Sequence, residues 1–534
     1  MLFCVQCLIL QDFCSTMKTK LTVGNRSRME MRQQDLLIHK LKEYAGSDMY
    51  PFHMPGHKRT GDMGFPDPFT MDITEVDGFD NLHHPEGILK SSMDWAAQVY
   101  GADQTYYLVN GSSSGILSAV CGAVPRGGRI LVSRNCHKSV YHGICLNQLK
   151  ASYVYPQEID GLGIQGGILP SDVDMMLKRY MDTQAVLIVS PTYDGVVSDI
   201  KGIAQVVHRA GLPLIVDEAH GAHFRYGEMF PVSALDLGAD VVIQSVHKTM
   251  PSLTQTALLH IRNNRPDRGC YADQERIDRY IHMVQSSSPS YVLMASIENS
   301  IYQMERMDME PYRREIMKLR ERLKGMGCLR LVDTNIIGQY GIHDLDVSKI
   351  VVSTRKSSLT GADLDRVLRR EYHLEMEMCG ADYVTAITTP MDRDEGLRRL
   401  GDALMEVDAR MEFSNNSTGD TALVGLKTSD RESGNQNPAD PQPVSIYSMR
   451  SDTAMTIADA MDGTMHPVKL EDSAGCISGE FVYIYPPGIP IVAPGEWISK
   501  KALDVIREYI EKKLPVQGPK DTSLTYIQII QREA

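Results

Sequence analysis

The chain has 534 residues, of which 43% are apolar and 23% charged, so it is long enough for two or three domains of ordinary globular composition. Its 55 Lys and Arg residues against 68 Asp and Glu residues give a net charge of −13, which argues against a nucleic-acid partner because phosphate contacts need clustered basic residues. No apolar run approaches a membrane span, and ten dispersed cysteines are too few for a disulfide scaffold, so we expect a cytoplasmic protein with no membrane partner.

The first 45 residues are predicted to form an N-terminal extension followed by a helix. The start, MLFCVQCLIL, is apolar but has neither a basic region nor a small-residue cleavage site, which argues against a secretory signal. We expect Met1–Arg28 to be an upstream extension, with a native start at Met29 or Met31. The spacing of apolar residues then predicts a helix over Arg32–Tyr44.

Residues 46–300 are predicted to form a large α/β domain. It opens with a Pro-, Gly- and His-rich stretch, Pro51–Phe69, which predicts a loop. From Thr105 onward, candidate strands and helices alternate, which is typical of a doubly wound, mostly parallel sheet. The strand candidates are Thr105–Val109, Ile130–Ser133, Ser152–Tyr155, Ala185–Ser190, Leu214–Asp217, Val241–Ser245 and Ala257–Ile261. The helix candidates are Ser114–Val124, Val140–Leu149, Ser171–Tyr180, Ile200–Ala210 and Val232–Leu237.

Smaller modules are predicted beyond the large domain. Residues 301–412 are expected to form a smaller α/β or α+β domain that begins with a long amphipathic stretch, Tyr302–Met326. Residues 413–445 are rich in Asn, Ser, Gly, Asp and Pro, which predicts a polar linker. Residues 446–534 are expected to form a C-terminal domain. The further candidates are a strand at Ile350–Val352 and helices at Gly361–Tyr372, Asp392–Arg410 and Ile498–Lys513.

Two side chains at the ends of neighbouring strand candidates suggest the chemistry. Asp217 ends the apolar run PLIVD, and Lys248, 31 residues later, lies just past the run DVVIQS. Ligands bind at the carboxyl ends of such strands. A lysine there can form a Schiff base with pyridoxal phosphate while a buried carboxylate pairs with the pyridine nitrogen. The alternative is a surface lysine beside an ordinary acidic strand end.

A third motif argues against that alternative. The segment Asn110–Gly115 joins the strand candidate Thr105–Val109 to a helix, and its small residues let the backbone approach a ligand closely. Unpaired amides at a helix start attract phosphate, and the hydroxyls of Ser112 and Ser113 add donors. Alone, the motif indicates no more than a helix cap. The motif has neither a Walker pattern nor a dinucleotide fingerprint. Since it precedes the Asp217 and Lys248 pair in the sequence, we interpret it as a site for a single phosphate group.

Two groups of residues invite a metal interpretation. His220 and His223 follow Asp217 closely, but the run contains Gly221 and does not have the spacing of zinc ligands on a helix. The Cys4-x-x-Cys7 pair has no second pair at zinc spacing. We therefore predict no metal site.

The motifs taken together resemble those of the bacterial ornithine/lysine/arginine decarboxylases, which are pyridoxal-phosphate enzymes of the aspartate aminotransferase fold type. The resemblance runs from about Tyr50 to about Lys513. Long members carry an additional response-regulator-like domain, and nothing before Tyr50 is long enough for one, so the chain resembles the short form. The matching segments are FHMPGHK (Phe52–Lys58), TEVDGFDNLHHPEG (Thr74–Gly87), NGSSSG (Asn110–Gly115), RNCHKS (Arg134–Ser139), SPTYDG (Ser190–Gly195), DEAHGAH (Asp217–His223), SVHKT (Ser245–Thr249), SSSPSYVLMASIE (Ser286–Glu298) and YPPGIP (Tyr485–Pro490).

The resemblance implies catalytic roles for three residues. Lys248 would hold the cofactor, and Asp217 would keep the pyridine nitrogen protonated so that the ring accepts electrons. His137 would stack on the ring, unless it is an ordinary helix cap or core histidine. His220 would lie near the phenolic oxygen of the cofactor.

The resemblance also implies a phosphate site and a site shared between subunits. The phosphate would be held by Ser112, Ser113, Ser245 and His247, and Ser114 would either join them or cap the helix. Ser287, in the run Ser286–Ser288, would reach the phosphate of a neighbouring subunit in a homodimer or larger homo-oligomer, unless the run is a helix cap. The candidates for recognising a cationic substrate side chain are Glu75, Asp77, Asp80 and Glu480.

The function predicted from this resemblance is decarboxylation of a basic amino acid to its amine, a step of polyamine biosynthesis. Arginine is the first choice of substrate and would give agmatine, whereas lysine would give cadaverine and ornithine putrescine. Two alternatives remain open: another reaction of the same fold type, such as transamination or Cα–Cβ cleavage, and a catalytically silent relative that regulates an active one. The presence of Lys248, Asp217 and His137 together argues against the silent relative.

Overall fold

The computed structural model describes residues 37–59, 64, 67–159, 161–265, 271–416, 450, 452–485, 488–512 and 514–531. The predictions made for residues 1–36 and for 417–445 of the linker lie outside these residues. The chain divides into two compact units, residues 1–49 and 50–534. In the first unit, helix α1 (Leu37–Ala45) lies within one residue of the C-terminal end predicted for it.

The large sheet and its helices occupy the first half of the second unit. The strands are β1 (Tyr50–Phe52), β2 (Gln104–Leu108), β3 (Arg129–Ser133), β4 (Lys150–Val154), β5 (Thr183–Val189), β6 (Val196–Val197), β7 (Leu214–Asp217), β8 (Val241–Gln244) and β9 (Ala257–Ile261). The helices are α2 (Pro68–Met71), α3 (Ile88–Tyr100), α4 (Gly111–Ala123), α5 (Lys138–Leu146), α6 (Pro170–Arg179), α7 (Ile200–Arg209), α8 (Val246–Thr249), α9 (Gln274–Val284) and α10 (Tyr291–Met304).

The second half contains shorter sheets. The strands are β10 (Arg330–Leu331), β11 (Asp344–Leu345), β12 (Lys349–Ser353), β13 (Leu374–Met376), β14 (Met378–Cys379), β15 (Tyr383–Ile387), β16 (Met465–Lys469), β17 (Val482–Ile484), β18 (Ile489–Val492), β19 (Val516–Gln517) and β20 (Tyr526–Ile530). The helices are α11 (Glu310–Leu323), α12 (Gly361–Glu371), α13 (Asp394–Asn416), α14 (Ile457–Asp462) and α15 (Lys500–Glu511).

The large sheet confirms the predicted doubly wound, mostly parallel architecture. Its seven strands lie in the order β2-β9-β8-β7-β5-β3-β4, and β9 alone among them runs antiparallel to its neighbours. Alternate residues of each strand enter two hydrophobic cores, one on each face. On β7, for example, Leu214 and Val216 join one core while Ile215 joins the other. Because both faces are covered, the ligand-accessible edge is the carboxyl end of the strands.

Most predicted elements of this domain lie within three residues of the observed ones, and one predicted helix, Val232–Leu237, is absent. Helix α4 begins at Gly111 rather than Ser114, so the Gly/Ser segment is its first turn. Val232–Leu237 forms no helix: it is a turn whose Ser233 hydroxyl and Ala234 amide donate to the buried carboxylate of Glu218. The stretch Tyr302–Met326 is divided between α10 and α11, because Pro311 fits only the first turn of a new helix.

The segment predicted as a loop at Pro51–Phe69 also contains structure. It includes the short helix α2 and most of strand β1, which pairs in parallel with β13. Tyr50 and Phe52 join the core under the four-stranded sheet β10-β12-β15-β14. This pairing and packing join the start of the second unit to residues of its second half.

The C-terminal residues form a third packed module around the sheet β18-β17-β19 and helix α15. Ser499 caps α15 by accepting a hydrogen bond from the Ala502 amide. Strand β18 runs beside the start of helix α5 of the large domain, since the Lys138 amide donates to the Gly488 carbonyl over 3.1 Å. This contact places the β17–β18 turn at the carboxyl edge of the large sheet.

Candidate active site

A cavity of about 380 Å³ opens at the carboxyl end of the large sheet. Of the predicted site residues, seven line it: Ser112, Ser113, His137, Asp217, His220, His247 and Lys248. Ser245 lies directly beneath it and donates its hydroxyl to Ser112 Oγ over 2.8 Å. Eight residues from four separate segments of the sequence therefore meet in one place.

Asp217 and Lys248 come from the ends of adjacent strands. Asp217 is the last residue of β7, where its carboxylate is 4% exposed and accepts a hydrogen bond from the Ala219 amide over 3.1 Å. Lys248 lies on the single-turn helix α8 that follows β8. Burial raises the pKa of Asp217, and the nearby Lys248 ammonium opposes that rise. Burial likewise lowers the pKa of Lys248, which favours the neutral, nucleophilic amine.

His220 contacts the lysine directly. Its Nε2 lies 2.9 Å from Lys248 Nζ, and its ring packs against that of Tyr193 with centroids 4.4 Å apart. Burial and then the Lys248 charge hold the pKa of His220 well below its usual value, so the imidazole is neutral. If Nε2 accepts from the lysine, the proton lies on Nδ1, which is buried without a hydrogen-bond partner in the described residues.

The structure places His137 at a helix start, which is one of the roles that the sequence left open. It is the N-cap of helix α5, where Nδ1 accepts the Ser139 amide over 3.2 Å and lies 2.8 Å from Ser139 Oγ. Its ring also lines the cavity. Burial, reinforced by Lys248, lowers the pKa of His137 to about 3. A neutral ring fixed at Nδ1 is therefore available for stacking.

The start of helix α4 has backbone and hydroxyl donors of the kind that bind anions. Gly111 adopts a φ of +75°, and Ser112 and Ser113 occupy the first turn, where backbone amides have no intrahelical partner. Ser114 does not line the cavity, because its hydroxyl donates to the Gly111 carbonyl over 2.7 Å. The structure therefore places Ser114 within the helix rather than at the surface of the cavity.

His247 is oriented by the loop after α8. Its Nδ1 lies 2.8 Å from the Thr256 carbonyl oxygen, which requires a proton on Nδ1 and leaves Nε2 unprotonated in the neutral ring. Burial lowers the pKa of His247 to about 4. A phosphate dianion bound in the cavity would oppose that shift by stabilising the imidazolium.

Ser287 does not join the cavity within this chain. Ser286, Ser287 and Ser288 are exposed, and they connect α9 to the helix capped by Ser290. The Ser286 amide donates to Asn110 Oδ1 over 3.3 Å, so the segment lies behind the first turn of α4. The Ser286 hydroxyl donates to the Ser288 carbonyl over 3.3 Å, and the three serines are exposed in this chain.

The acidic candidates for substrate recognition also lie away from the cavity. Asp80 accepts amide hydrogen bonds at the start of α3, including that of Gly87 over 2.7 Å, and these lower its pKa to about 2 against the opposing effect of burial. Glu480 accepts the Lys520 and Gln528 amides over 2.7 and 2.9 Å. Glu75 and Asp77 are exposed and line no part of the cavity.

Sequence reasoning missed several cavity residues. Tyr193 lines the cavity and donates its hydroxyl to Glu377, whose other carboxylate oxygen accepts the Met54 amide over 2.7 Å. The position of Tyr193 just past β5 could have indicated its role, whereas nothing in the sequence relates Glu377 to Lys248. On the opposite wall, Asn135 donates to Gln165 over 2.6 Å. Met54 and Thr254 also line the wall without a predicted role, whereas Tyr485 and Ile489 belong to the YPPGIP segment, Tyr485–Pro490, that the sequence analysis singled out.

Neither a metal cluster nor a membrane helix is found in the described part of the chain. No group of three or more His, Cys, Asp or Glu side chains there is arranged to hold a metal ion. His223 turns away from Asp217, because its Nε2 lies 3.2 Å from Asp346 Oδ2. The described helices include none long and apolar enough to cross a bilayer.

Comparison with known proteins gives a consistent result. Residues 36–340 match the family model described as Orn/Lys/Arg decarboxylase, major domain, and residues 443–514 match the corresponding C-terminal domain. An arginine decarboxylase of Bacillus subtilis is 31% identical over 92% of this chain and 97% of its own length. An arginine decarboxylase of Halalkalibacterium halodurans is 31% identical over 94% and 99%. The crystal structure of a lysine decarboxylase of Francisella novicida has a TM-score of 0.69 at 20% identity, covering 92% of this chain and 80% of that one.

Proposed function

The chain belongs to the Orn/Lys/Arg decarboxylase family, and from that premise we propose that it decarboxylates arginine to agmatine with pyridoxal phosphate as its cofactor. The observation that carries the proposal is the meeting of Asp217, Lys248 and the first turn of α4 in one cavity. Each of these groups suits a different part of the cofactor: the ring nitrogen, the aldehyde and the phosphate.

The cavity residues fit that cofactor in charge as well as in position. The hydroxyls of Ser112 and Ser245 and the free amides of α4 supply donors for a phosphate. At the other end of the cavity, Asp217 is a buried carboxylate that a protonated ring nitrogen would stabilise. His220 also lines the cavity, with its Nε2 beside Lys248 Nζ.

When bound, the cofactor supplies an electron sink for the pair released from Cα as carbon dioxide leaves. Asp217 maintains the positive ring nitrogen on which that sink depends. Lys248 acts first as the amine that holds the cofactor, and its lowered pKa keeps it nucleophilic. His220, at 2.9 Å from Nζ, orients the lysine and can accept its proton. His137 covers one side of the cavity with a neutral ring.

Arginine is proposed as the substrate because of the relatives. Both arginine decarboxylases align over nearly their full length, so the similarity includes all regions that could form the substrate pocket. The lysine decarboxylase structure is only 20% identical and supports the fold alone. Transamination and Cα–Cβ cleavage are the alternatives that the same cofactor could support.

We further propose that the active protein is a homodimer with shared sites. Ser286–Ser288 are exposed in one chain although their segment lies behind the phosphate-binding helix. In a dimer, Ser287 of each chain would contribute a hydroxyl to the phosphate site of the other. The acidic groups that recognise the substrate side chain would come from the same interface.

The test is product analysis with purified protein, pyridoxal phosphate and each of arginine, lysine and ornithine. We expect agmatine and carbon dioxide in equal amounts, with a kcat/KM for arginine at least about tenfold above that for lysine. The Lys248→Ala variant is the control and should form no amine. Cadaverine as the main product would contradict the substrate. A keto acid, or no product from protein that binds the cofactor, would contradict decarboxylation itself.

A further inference from the structure

The turn between β17 and β18 brings the C-terminal module into the wall of the cavity. Tyr485 and Ile489 line the cavity from this turn, and Gly488 lies between them in the sequence. The Gly488 carbonyl accepts the Lys138 amide over 3.1 Å, in the first turn of α5. The Lys138 ammonium also lies 5.0 Å from the ring centre of Tyr485. The turn is thus fixed to the residue that follows His137.

Gly488 lies directly against the His137 imidazole. A Cβ built on Gly488 would be 3.3 Å from His137 Cδ2, 3.5 Å from His137 Nε2 and 3.5 Å from Tyr485 Cδ2. A methyl group there would press on Cδ2, so the ring would have to shift by a few tenths of an ångström. Ser139 holds His137 at Nδ1, whereas Gly488 faces the opposite Cδ2–Nε2 edge of the ring, where only a residue without a Cβ leaves the ring unpressed.

A buried ion pair anchors this turn to the large domain. Arg134, three residues before His137, is 6% exposed and Glu496 is 1% exposed. Arg134 Nη2 donates to Glu496 Oε2 over 3.1 Å, and Arg134 Nη1 donates to the Pro490 carbonyl over 2.9 Å. Burial acts to lower the pKa of Arg134, but the Glu496 carboxylate outweighs it and the pKa is raised. The guanidinium therefore stays charged and binds the strand that carries the turn.

Resting on the proposed function, we infer that Gly488 is a positioning residue, held in place by the Arg134–Glu496 pair, that fixes the His137 ring for cofactor stacking. The module that supplies Gly488 is remote in sequence from the Asp217 and Lys248 motifs. Its docking would complete the cofactor site, so cofactor affinity should depend on residues that contact neither the cofactor nor the substrate.

The experiment compares Gly488→Ala with a matched control, Gly475→Ala. Both glycines lie in the C-terminal module with φ near +80°, at +82° and +76°, but an added Cβ at Gly475 meets nothing within 4 Å. The two variants therefore share the backbone strain of a left-handed alanine and differ in the contact with His137. A second comparison sets Glu496→Gln against Glu471→Gln, an exposed glutamate of the same module.

The readouts are the dissociation constant of pyridoxal phosphate from apoprotein, the melting temperature and kcat. We expect Gly488→Ala to weaken cofactor binding by at least about fivefold relative to Gly475→Ala, because displacing a positioned ring by a few tenths of an ångström disturbs the stack. Glu496→Gln should weaken it more than Glu471→Gln does. Equal cofactor affinity and kcat in Gly488→Ala and Gly475→Ala would overturn the inference.

A double mutant separates positioning from mere stability. In a His137→Ala background the space beside Gly488 is empty, so adding Gly488→Ala should change cofactor affinity by less than about twofold. If Gly488→Ala lowers affinity or melting temperature equally with and without His137, Gly488 is a structural residue and the inference is wrong. Failure of the proposed function would give a different result from failure of this inference, because the wild-type protein itself would then show neither cofactor binding nor amine formation.

Discussion

Replacing Asp217 by Asn would remove the charge on which the electron sink depends while keeping the shape of the side chain. The asparagine oxygen can still accept the Ala219 amide, which lies 3.1 Å from Oδ1, so the local backbone should be retained. What is lost is the negative charge facing the pyridine nitrogen. The neutral amide no longer favours protonation of that nitrogen, and the transition state for loss of carbon dioxide rises in free energy.

The size of the effect follows from the bond removed. A hydrogen bond with a charged partner contributes about 1.5–3 kcal/mol. At about 1.4 kcal/mol for each factor of ten, kcat should fall roughly 10- to 100-fold. Burial strengthens this expectation, since Asp217 is 4% exposed and little solvent is available to screen the charge.

The assay is kcat for agmatine formation at saturating cofactor, with occupancy followed by visible absorbance. Asp240→Asn is the control, because Asp240 is a fully buried carboxylate just before β8, at the amino edge of the sheet. It accepts the Leu214 amide over 2.8 Å, so its loss should lower stability while kcat of the folded protein changes by less than about twofold. A kcat for Asp217→Asn within about twofold of wild type at full occupancy would refute the role given to Asp217.

Two further predictions concern the assembly and the buried charges. Lys248→Ala and a Ser286/Ser287/Ser288 triple alanine variant should each be inactive alone, and mixing them should restore activity in verified mixed dimers. Activity should return because one of the two sites in a mixed dimer would carry neither defect. No recovery of activity would contradict the shared site. Burial raises the pKa of Glu218 from 4.5 to about 7. Its protonated form therefore stabilises the fold below pH 4.5, and that stability is lost as pH rises towards 7. Urea titrations should show the free energy of unfolding of wild type falling by about 3 kcal/mol more over this range than that of Glu218→Gln. Parallel curves for the two proteins would exclude this raised pKa.

The part of the site that lies at the carboxyl ends of the parallel strands could be predicted from the sequence. Asp217 and Lys248 could be placed together because each ends an apolar run, and parallel neighbouring strands present their carboxyl ends at one edge. Glu377 could not be placed there, because it lies between β13 and β14, far along the sequence, and its link to the cavity is its contacts with Tyr193 and Met54. Tertiary packing, and not a local pattern, brings it near Lys248.

The errors in secondary structure have similar causes. The stretch Val232–Leu237 has a helical pattern of apolar residues, but the buried carboxylate of Glu218 takes the Ser233 hydroxyl and the Ala234 amide and fixes a turn instead. The position of Gly488 against His137 was equally hidden, since it depends on the docking of a module more than 300 residues away in the sequence. Local periodicity contains no information on such contacts.

The central claim is that Lys248 holds the cofactor, and borohydride reduction followed by peptide mass spectrometry tests it most directly. Reduction makes the lysine–cofactor bond permanent, so the modified peptide identifies the residue. We predict a single modified lysine at Lys248, while the other buried lysines, Lys58 and Lys349, stay unmodified because their ammonium groups bind the Ile387 carbonyl and Asp346 over 2.7 and 3.1 Å. A label on either of these, or none in protein that binds pyridoxal phosphate, would contradict the account.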